Sequence, residues 1–417
     1  MLVNFVVKNF GPFRDEAILT MTAQKGNEHP ENYVETETNG RILTSAAIFG
    51  PNASGKTYIV KALAHLQSMV LFPGVPNTQI EHYNPFRLSK DTNKAPTMMN
   101  IRFIAEDVLY DYAISFNGER ILTERLYHYP KGRRAEVFTR NLDAFDFGRS
   151  TGAAALISKF TSPNTTGIFA AAQFNNEICT KVHKWFLNDL MIITNPDENA
   201  LLGLFINRIK NDEDLKKKAI SAMKIADFPI TDIYGVIKKK KVQYLQGLTP
   251  QIKGLTMAAG GEEMSEYELY LTHDVGTEGL TPEDKKFPIG LESAGTVRFL
   301  SMIVPIMDAL TYGKTLIIDE FGQKLHCRVS EWIVEMFCDA RYNTGGGQLI
   351  FNTQSTHLMT QDLFRRDQIY LVSKNEKGEA ELFSISDFGE RKDKVILASY
   401  LDGKYGAVPF IDEGTIL

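Results

Sequence analysis

Two stretches of the chain hold residues whose types and spacing could grip and cleave a polyphosphate. The first is Gly50-Pro51-Asn52-Ala53-Ser54-Gly55-Lys56-Thr57, which fits G-x-x-x-x-G-K-[ST]. Its two glycines let the backbone curl until successive N–H groups point inward at an anion. Lys56 brings an ammonium to the β- and γ-phosphates, and so serves both binding and catalysis. Thr57 brings a hydroxyl to Mg²⁺, a small hard cation that prefers oxygen ligands. The second stretch is Asp319-Glu320, which ends the apolar run Lys314-Thr315-Leu316-Ile317-Ile318. Two carboxylates at the end of a buried strand are costly unless a cation or a donor meets them. Asp319 is the expected second anchor of Mg²⁺, and Glu320 the group that polarises an attacking water. The implied cofactors are ATP and Mg²⁺.

These residues work only if the right elements carry them. Thr44 to Phe49 is small and apolar and predicts a buried strand before the loop. Ile59, Val60, Leu63, Leu66 and Val70 recur at helical spacing after it, so a helix places its positive end beneath the phosphates. In the last third, Ala294 to Leu310 and Val329 to Ala340 predict helices. Gln348 to Thr353, Gln368 to Val372 and Ala380 to Phe383 predict strands. Leu291-Glu292-Ser293-Ala294-Gly295-Thr296 opens the first of those helices. Ser293 and Gly295 there form a second anion site, or Ser293 is an N-cap and nothing more.

The remainder reads as supporting structure. Residues 1–24 predict two strands around Gly11-Pro12, with the N-terminus a first strand and not a signal peptide, and 25–43 a loop. Met99 to Tyr129 predicts a three-stranded antiparallel meander with its turn at Asn117-Gly118. Glu177 to Met191 and Asn199 to Ile225 each predict one helix. Ile233 to Leu245 and Glu266 to Thr272 predict strands around a loop at Gly260-Gly261. The expected class is α/β: residues 1–142 as the first half of a head with a P-loop core sheet and an antiparallel β-subdomain, 143–229 as a helical insertion, and 230–417 as the second half of the head.

Composition bounds the function. The 417 residues are 43% hydrophobic and 23% charged with a net charge of −5, so nothing advertises general nucleic-acid binding. Lys216-Lys217-Lys218 and Lys238-Lys239-Lys240-Lys241 form either a local nucleic-acid patch or solvated faces. No apolar run in the sequence approaches the ~20 residues of a membrane span. Cys179, Cys327 and Cys338 lack metal-ligand spacing and fit reduced thiols in a cytoplasm.

Taken together, these motifs resemble the ABC-type ATPases of the SMC-like class, and among them the prokaryotic abortive-infection, RloA-like anti-phage group. The resemblance spans most of the chain. It runs from Asn9-Phe10-Gly11-Pro12-Phe13-Arg14-Asp15-Glu16 through Gly50–Thr57 and Asn84-Pro85-Phe86 to Glu292–Thr296, Asp319-Glu320 and Leu325-His326. It implies an ABC-ATPase head whose Ser293 and Gly295 form a signature loop reaching the γ-phosphate held by a second subunit. Partners implied are therefore a homodimer or higher homo-oligomer closed around ATP and a separate effector, a nuclease, acting in phage defence; no membrane is implied. Phe13 and Arg14 become candidates for base or phosphate contact. Gln354 occupies the position of the family's switch histidine, with His357 three residues on as the alternative. A glutamine cannot carry a proton away, which implies slow turnover. His326 either reaches across the dimer or is structural. Gln67 and Gln79 are the candidates for the family's Q-loop glutamine. Other readings are an SMC-like DNA-binding ATPase, a transporter ATPase subunit, and an ATP-binding scaffold with little hydrolysis.

Overall fold

The P-loop strand, Ser45–Phe49, is buried along its whole length because it is built only from small and apolar side chains. It sits inside a six-stranded sheet whose order is Leu190–Ile193, Thr315–Ile318, Gln348–Asn352, Ser45–Phe49, Ile369–Lys374 and Ala380–Ser384. The first five strands run parallel and the last is antiparallel. Parallel strands buried on both faces need continuous apolar runs, and the Thr315–Ile318 and Gln348–Asn352 strands are buried throughout. Their carboxyl ends share one edge, where ligands of open α/β sheets bind.

The computed structural model describes residues 1–36, 39–147, 154–194, 198–241, 263–273, 281, 283–389 and 395–408. They form two compact units. The first comprises Met1–Asn195, Met307–Gln323 and Cys327–Leu417, and the second Pro196–Ile306 and Lys324–His326. In the first unit a seven-stranded antiparallel sheet accompanies the parallel one. Its order is Ala144–Asp146, Ala135–Asn141, Ile121–Tyr129, Val108–Phe116, Thr97–Ala105, Leu2–Lys8 and Ala17–Thr20. The helix Lys56–Leu71 buries Ile59, Val60, Leu63, Leu66 and Val70 in a cluster shared with Phe5 and Ile101 of one sheet and Ile48 and Ile350 of the other. The expected meander is therefore the middle of a larger sheet.

In the second unit the helices Glu198–Ile209 and Glu213–Ile225 pack on an antiparallel sheet of Ile230–Lys241, Glu263–His273 and Lys286–Pro288. Glycines make that close approach possible. A Cβ on Gly235 would lie 2.7 Å from Ile206, and one on Gly203 3.1 Å from the Tyr267 ring. The helix Ala294–Tyr312 begins in this unit, with Phe299 stacked on Phe228 at 5.4 Å.

Several expected elements differ. The helix beginning at Glu177 leaves α geometry after Lys184, makes a π-turn over Trp185–Asp189, and becomes the strand Leu190–Ile193. Tertiary contacts impose this. Trp185 stacks on Phe103 at 4.0 Å, and the Gln67 side chain donates to the carbonyls of Phe186 and Leu190, both at 2.7 Å. Those bonds satisfy carbonyls that a helix would have paired internally. The expected helix Asn199 to Ile225 is two helices, because Asp212 caps a new start by accepting from the Leu215 N–H at 2.9 Å. Ala144–Asp146 is a strand within the stretch expected to be helical. The helix Ala294–Tyr312 is long and apolar enough to span a membrane by length and composition, against the expectation that no apolar run approaches that length. Most of it is buried inside the protein (72%), as in a core helix. The expected loop at Gly260-Gly261 lies outside the described residues.

Candidate functional site

The P-loop leaves its strand through backbone that only special residues tolerate. Gly50 has φ 149°, Ala53 60° and Gly55 119°. A Cβ on Gly50 would collide with the carbonyl oxygen of Val372, and one on Gly55 would lie 2.8 Å from Pro12. Ala53 pays for its left-handed conformation, about 1 kcal/mol. The loop then feeds the helix that starts at Lys56.

Inside this cradle Lys56 is only 8% exposed and donates to the carbonyls of Gly50 at 2.7 Å and Pro51 at 2.9 Å. Burial pushes its pKa down, and the charges of Asp319 and Glu320 oppose that shift. Ser54 is buried, and among the described residues its hydroxyl has no hydrogen-bond partner. Thr57 Oγ1 donates to Asp319 Oδ1 at 3.0 Å, so residues 262 positions apart share one bond. Glu320 follows, exposed, with φ 54°. This set fits Mg²⁺ and a triphosphate: a glycine-built hollow, a buried cation at its base, an orphan hydroxyl, and a hydroxyl–carboxylate pair suited to a hard metal. Gly50 to Thr57 would hold the phosphates, and Thr57 with Asp319 would hold Mg²⁺.

The strand between the two motifs supplies a residue that belongs to neither of them. Asn352 ends Gln348–Asn352 and is 1% exposed. Its Nδ2 donates to Asp319 Oδ1, and its Oδ1 accepts from the Glu320 N–H at 2.9 Å. Its backbone carbonyl accepts from the Phe321 N–H at 2.9 Å. A carboxamide closing an apolar strand must find buried partners, but which ones it finds depends on strand order.

The segment Asn9–Glu16 turns out to be a buttress. Asn9 Nδ2 donates to the Ala95 and Thr92 carbonyls at 2.8 and 3.0 Å, and its Oδ1 accepts from the Phe86 N–H at 2.9 Å. The Gly11 N–H donates to the Asn84 carbonyl at 2.7 Å. The two motifs Asn9–Glu16 and Asn84–Phe86 are thus one knot, with Pro12 against Gly55. Phe13 does not serve as a base contact here, because its ring is wholly buried in the core and offers no stacking face. The Arg14 guanidinium is held by Glu379 at 2.6 Å. Gln67, bound to two carbonyls, has no free carboxamide protons to give a nucleotide.

Beyond Asn352 the chain presents Gln354 exposed, directly after Thr353, whose N–H donates to the Ile48 carbonyl at 3.0 Å. His357 sits in a short 3₁₀ turn, half-buried, with its Nε2 shut from solvent and unpartnered among the described residues. In the second unit, Ser293 Oγ accepts from the Thr296 N–H at 3.1 Å, the geometry of an N-cap. A Cβ on Gly295 would lie 2.9 Å from the Lys324 carbonyl, and Glu292 is bonded to His273 at 2.7 Å. Three lysines of the two runs are paired: Lys216 with Asp232 at 2.7 Å, Lys218 with Asp214 at 2.7 Å and Lys238 with Glu268 at 2.6 Å. That favours solvated faces over a polyanion patch.

Among solved structures, the chain is similar to an SMC head bound to the C-terminal winged-helix domain of ScpA, with 14% identity, 92% of this chain and 97% of that one covered, and a TM-score of 0.41. The SMC head domain from Thermotoga maritima gives 11%, 92%, 98% and 0.41, and an SMC head bound to ScpA's C-terminal domain, from Pyrococcus furiosus, gives 13%, 92%, 96% and 0.40. Likenesses this distant bear on neither function nor partners. No curated protein matches the chain. Residues 45–360, well over half of the chain, match the family described as "AAA domain, putative AbiEii toxin, Type IV TA system". The span takes in the P-loop, the acidic pair and the Asn352 strand between them, and the chain belongs to this AAA-domain family.

Proposed function

We propose that the protein is an ATP-binding and ATP-hydrolysing switch that pairs with a second copy around nucleotide and controls a separate effector. The observation that carries this reading is the 3.0 Å bond between Thr57 and Asp319, which joins the phosphate loop to the acidic strand in one site. Lys56 and the loop amides bind the phosphates. Glu320, exposed beside the sheet edge, orients a water and accepts its proton. Mg²⁺, when bound, supplies charge neutralisation at Thr57 and Asp319. Ser293 and Gly295 complete the site of the second copy, and Gln354 stands where a proton carrier would speed turnover. The effector is a nuclease acting in phage defence in the cytoplasm; the family's description, which includes a toxin of a toxin–antitoxin system, supports a two-component arrangement.

Calorimetry with ATP tests the binding half. Lys56→Ala should lose nucleotide affinity, and unchanged affinity would sink the assignment of the loop. For the hydrolytic half, Glu320→Gln should bind ATP normally and release phosphate at least about 100-fold more slowly, the low end for a general base. A second reading, an ATP-binding scaffold with little hydrolysis, is favoured by Gln354, and slow wild-type phosphate release with tight binding would select it.

A further inference from the structure

The acidic pair is held by a side chain outside both motifs. Asp319 Oδ1 accepts from two donors, Thr57 Oγ1 at 3.0 Å and Asn352 Nδ2. Asn352 Oδ1 takes the N–H of Glu320 at 2.9 Å. That N–H belongs to a residue with φ 54°, a left-handed conformation that a glutamate adopts only when its surroundings hold it there. Two further bonds close the turn: the Phe321 N–H to the Asn352 carbonyl at 2.9 Å, and Thr353 Oγ1 to the Phe321 carbonyl at 2.7 Å. The strand that carries Asn352 lies between the P-loop strand and the acidic strand. One carboxamide therefore ties its own strand to the end of the acidic strand, and Asp319 carries the link on to Thr57 at the edge where the phosphates would sit.

We propose that Asn352 is a positioning residue that sets both the Asp319 carboxylate and the Glu320 turn, so that the metal-holding and water-orienting groups move together. The proposal rests on the ATPase reading above, but its geometry concerns the chain's own atoms. The carboxamide is neutral and two-faced. It donates to a carboxylate and accepts from an amide at once, which neither aspartate nor a hydroxyl of shorter reach can do. Asn352→Asp keeps the acceptor for Glu320 and sets a second carboxylate against Asp319. Asn352→Ala removes both bonds. The pair of variants separates the two roles.

The first measurement needs no nucleotide. Hydrogen exchange should show the Glu320 amide protected in the wild type and in Asn352→Asp, and exposed in Asn352→Ala. The second is calorimetry of a non-hydrolysable ATP analogue with and without Mg²⁺. Both variants should bind the analogue without Mg²⁺ as the wild type does, and lose about 10- to 100-fold of the Mg²⁺-dependent tightening, the usual size for residues that orient metal ligands. The third is steady-state hydrolysis, where KM should rise by a similar factor, since with slow chemistry it follows affinity, and kcat should fall as well. Asn352→Ala with wild-type exchange at Glu320 and wild-type Mg²⁺ dependence would overturn the proposal. A wild-type protein that binds no ATP would overturn the ATPase reading instead, and the exchange result would still decide whether Asn352 holds the turn.

Discussion

A phosphate loop needs space that side chains would otherwise fill, and here two glycines keep it clear for different reasons. Gly50 is hemmed in by the Val372 carbonyl of the neighbouring strand, whereas Gly55 is hemmed in by Pro12 from the amino-terminal buttress. The second contact ties the loop to the Asn9–Glu16 segment, which also packs on Tyr58 of the helix that follows the loop. Gly55→Ala should therefore cost stability as well as ligand: about 1–3 kcal/mol in urea unfolding, from the strained φ and the displaced Pro12. Pro12→Ala in the same background would relieve the steric part alone, and a double-mutant cycle with no coupling would show that the buttress does not press on the loop. The same local logic explains which site residues could be read in advance. Lys56, Thr57, Asp319 and Glu320 have chemistry tied to spacing, so they were legible. Asn352 was not, since its role depends on which strand lies between the motifs, and strand order is not written in spacing. Phe13 misled because an aromatic in a motif is as easily core as contact, and only burial distinguishes them.

The helix Lys56–Leu71 shows how far periodicity reaches and where it stops. Its buried face was legible from the recurrence of Ile59, Val60, Leu63, Leu66 and Val70. The polar residues on it carry the information that periodicity misses. Gln67 breaks a neighbouring helix into a π-turn and a strand, so a pattern that continued helically to Met191 was overridden by two hydrogen bonds from another element. His65, 5% exposed, is stacked on Phe10 at 6.1 Å and lies 5.4 Å from the Phe116 ring. Burial, and secondarily the nearby His82, lowers its pKa from 6.5 to about 4. The unfolded chain thus binds a proton at a pH where the folded one does not. His65 adds no penalty above pH 6.5, and stability is lost as pH falls from there toward 4. The loss is about 3 kcal/mol across that interval. Replacing the ring with His65→Leu should remove this part of the acid sensitivity, read as the difference between the two proteins' unfolding free energies at pH 7 and pH 4.5. Parallel pH profiles would show that the ring is protonated inside the fold.

At the scale of the whole molecule, the proposed site is half of one. The P-loop, Asp319 and Glu320 gather within the first unit, while Ser293 and Gly295 belong to the second, where Ser293 caps its helix. An N-cap serine and an anion-binding serine are compatible, because a helix N-terminus has more N–H groups than one hydroxyl can satisfy. This shapes the choice of variant. Ser293→Asp keeps an acceptor for the Thr296 N–H and so keeps the cap. It also turns a carboxylate toward any triphosphate that approaches the helix end, which should stop hydrolysis without unfolding the helix. Lys56→Ala disables the phosphate loop instead. If two copies share their sites, each variant alone is inactive at both sites of its own dimer. A mixed dimer carries both lesions at one site and neither at the other. Random pairing of equal amounts makes half the dimers mixed, so the mixture should recover about a quarter of the wild-type rate. Should each chain instead complete its own site, mixing recovers nothing, and the switch would have to work within a single copy.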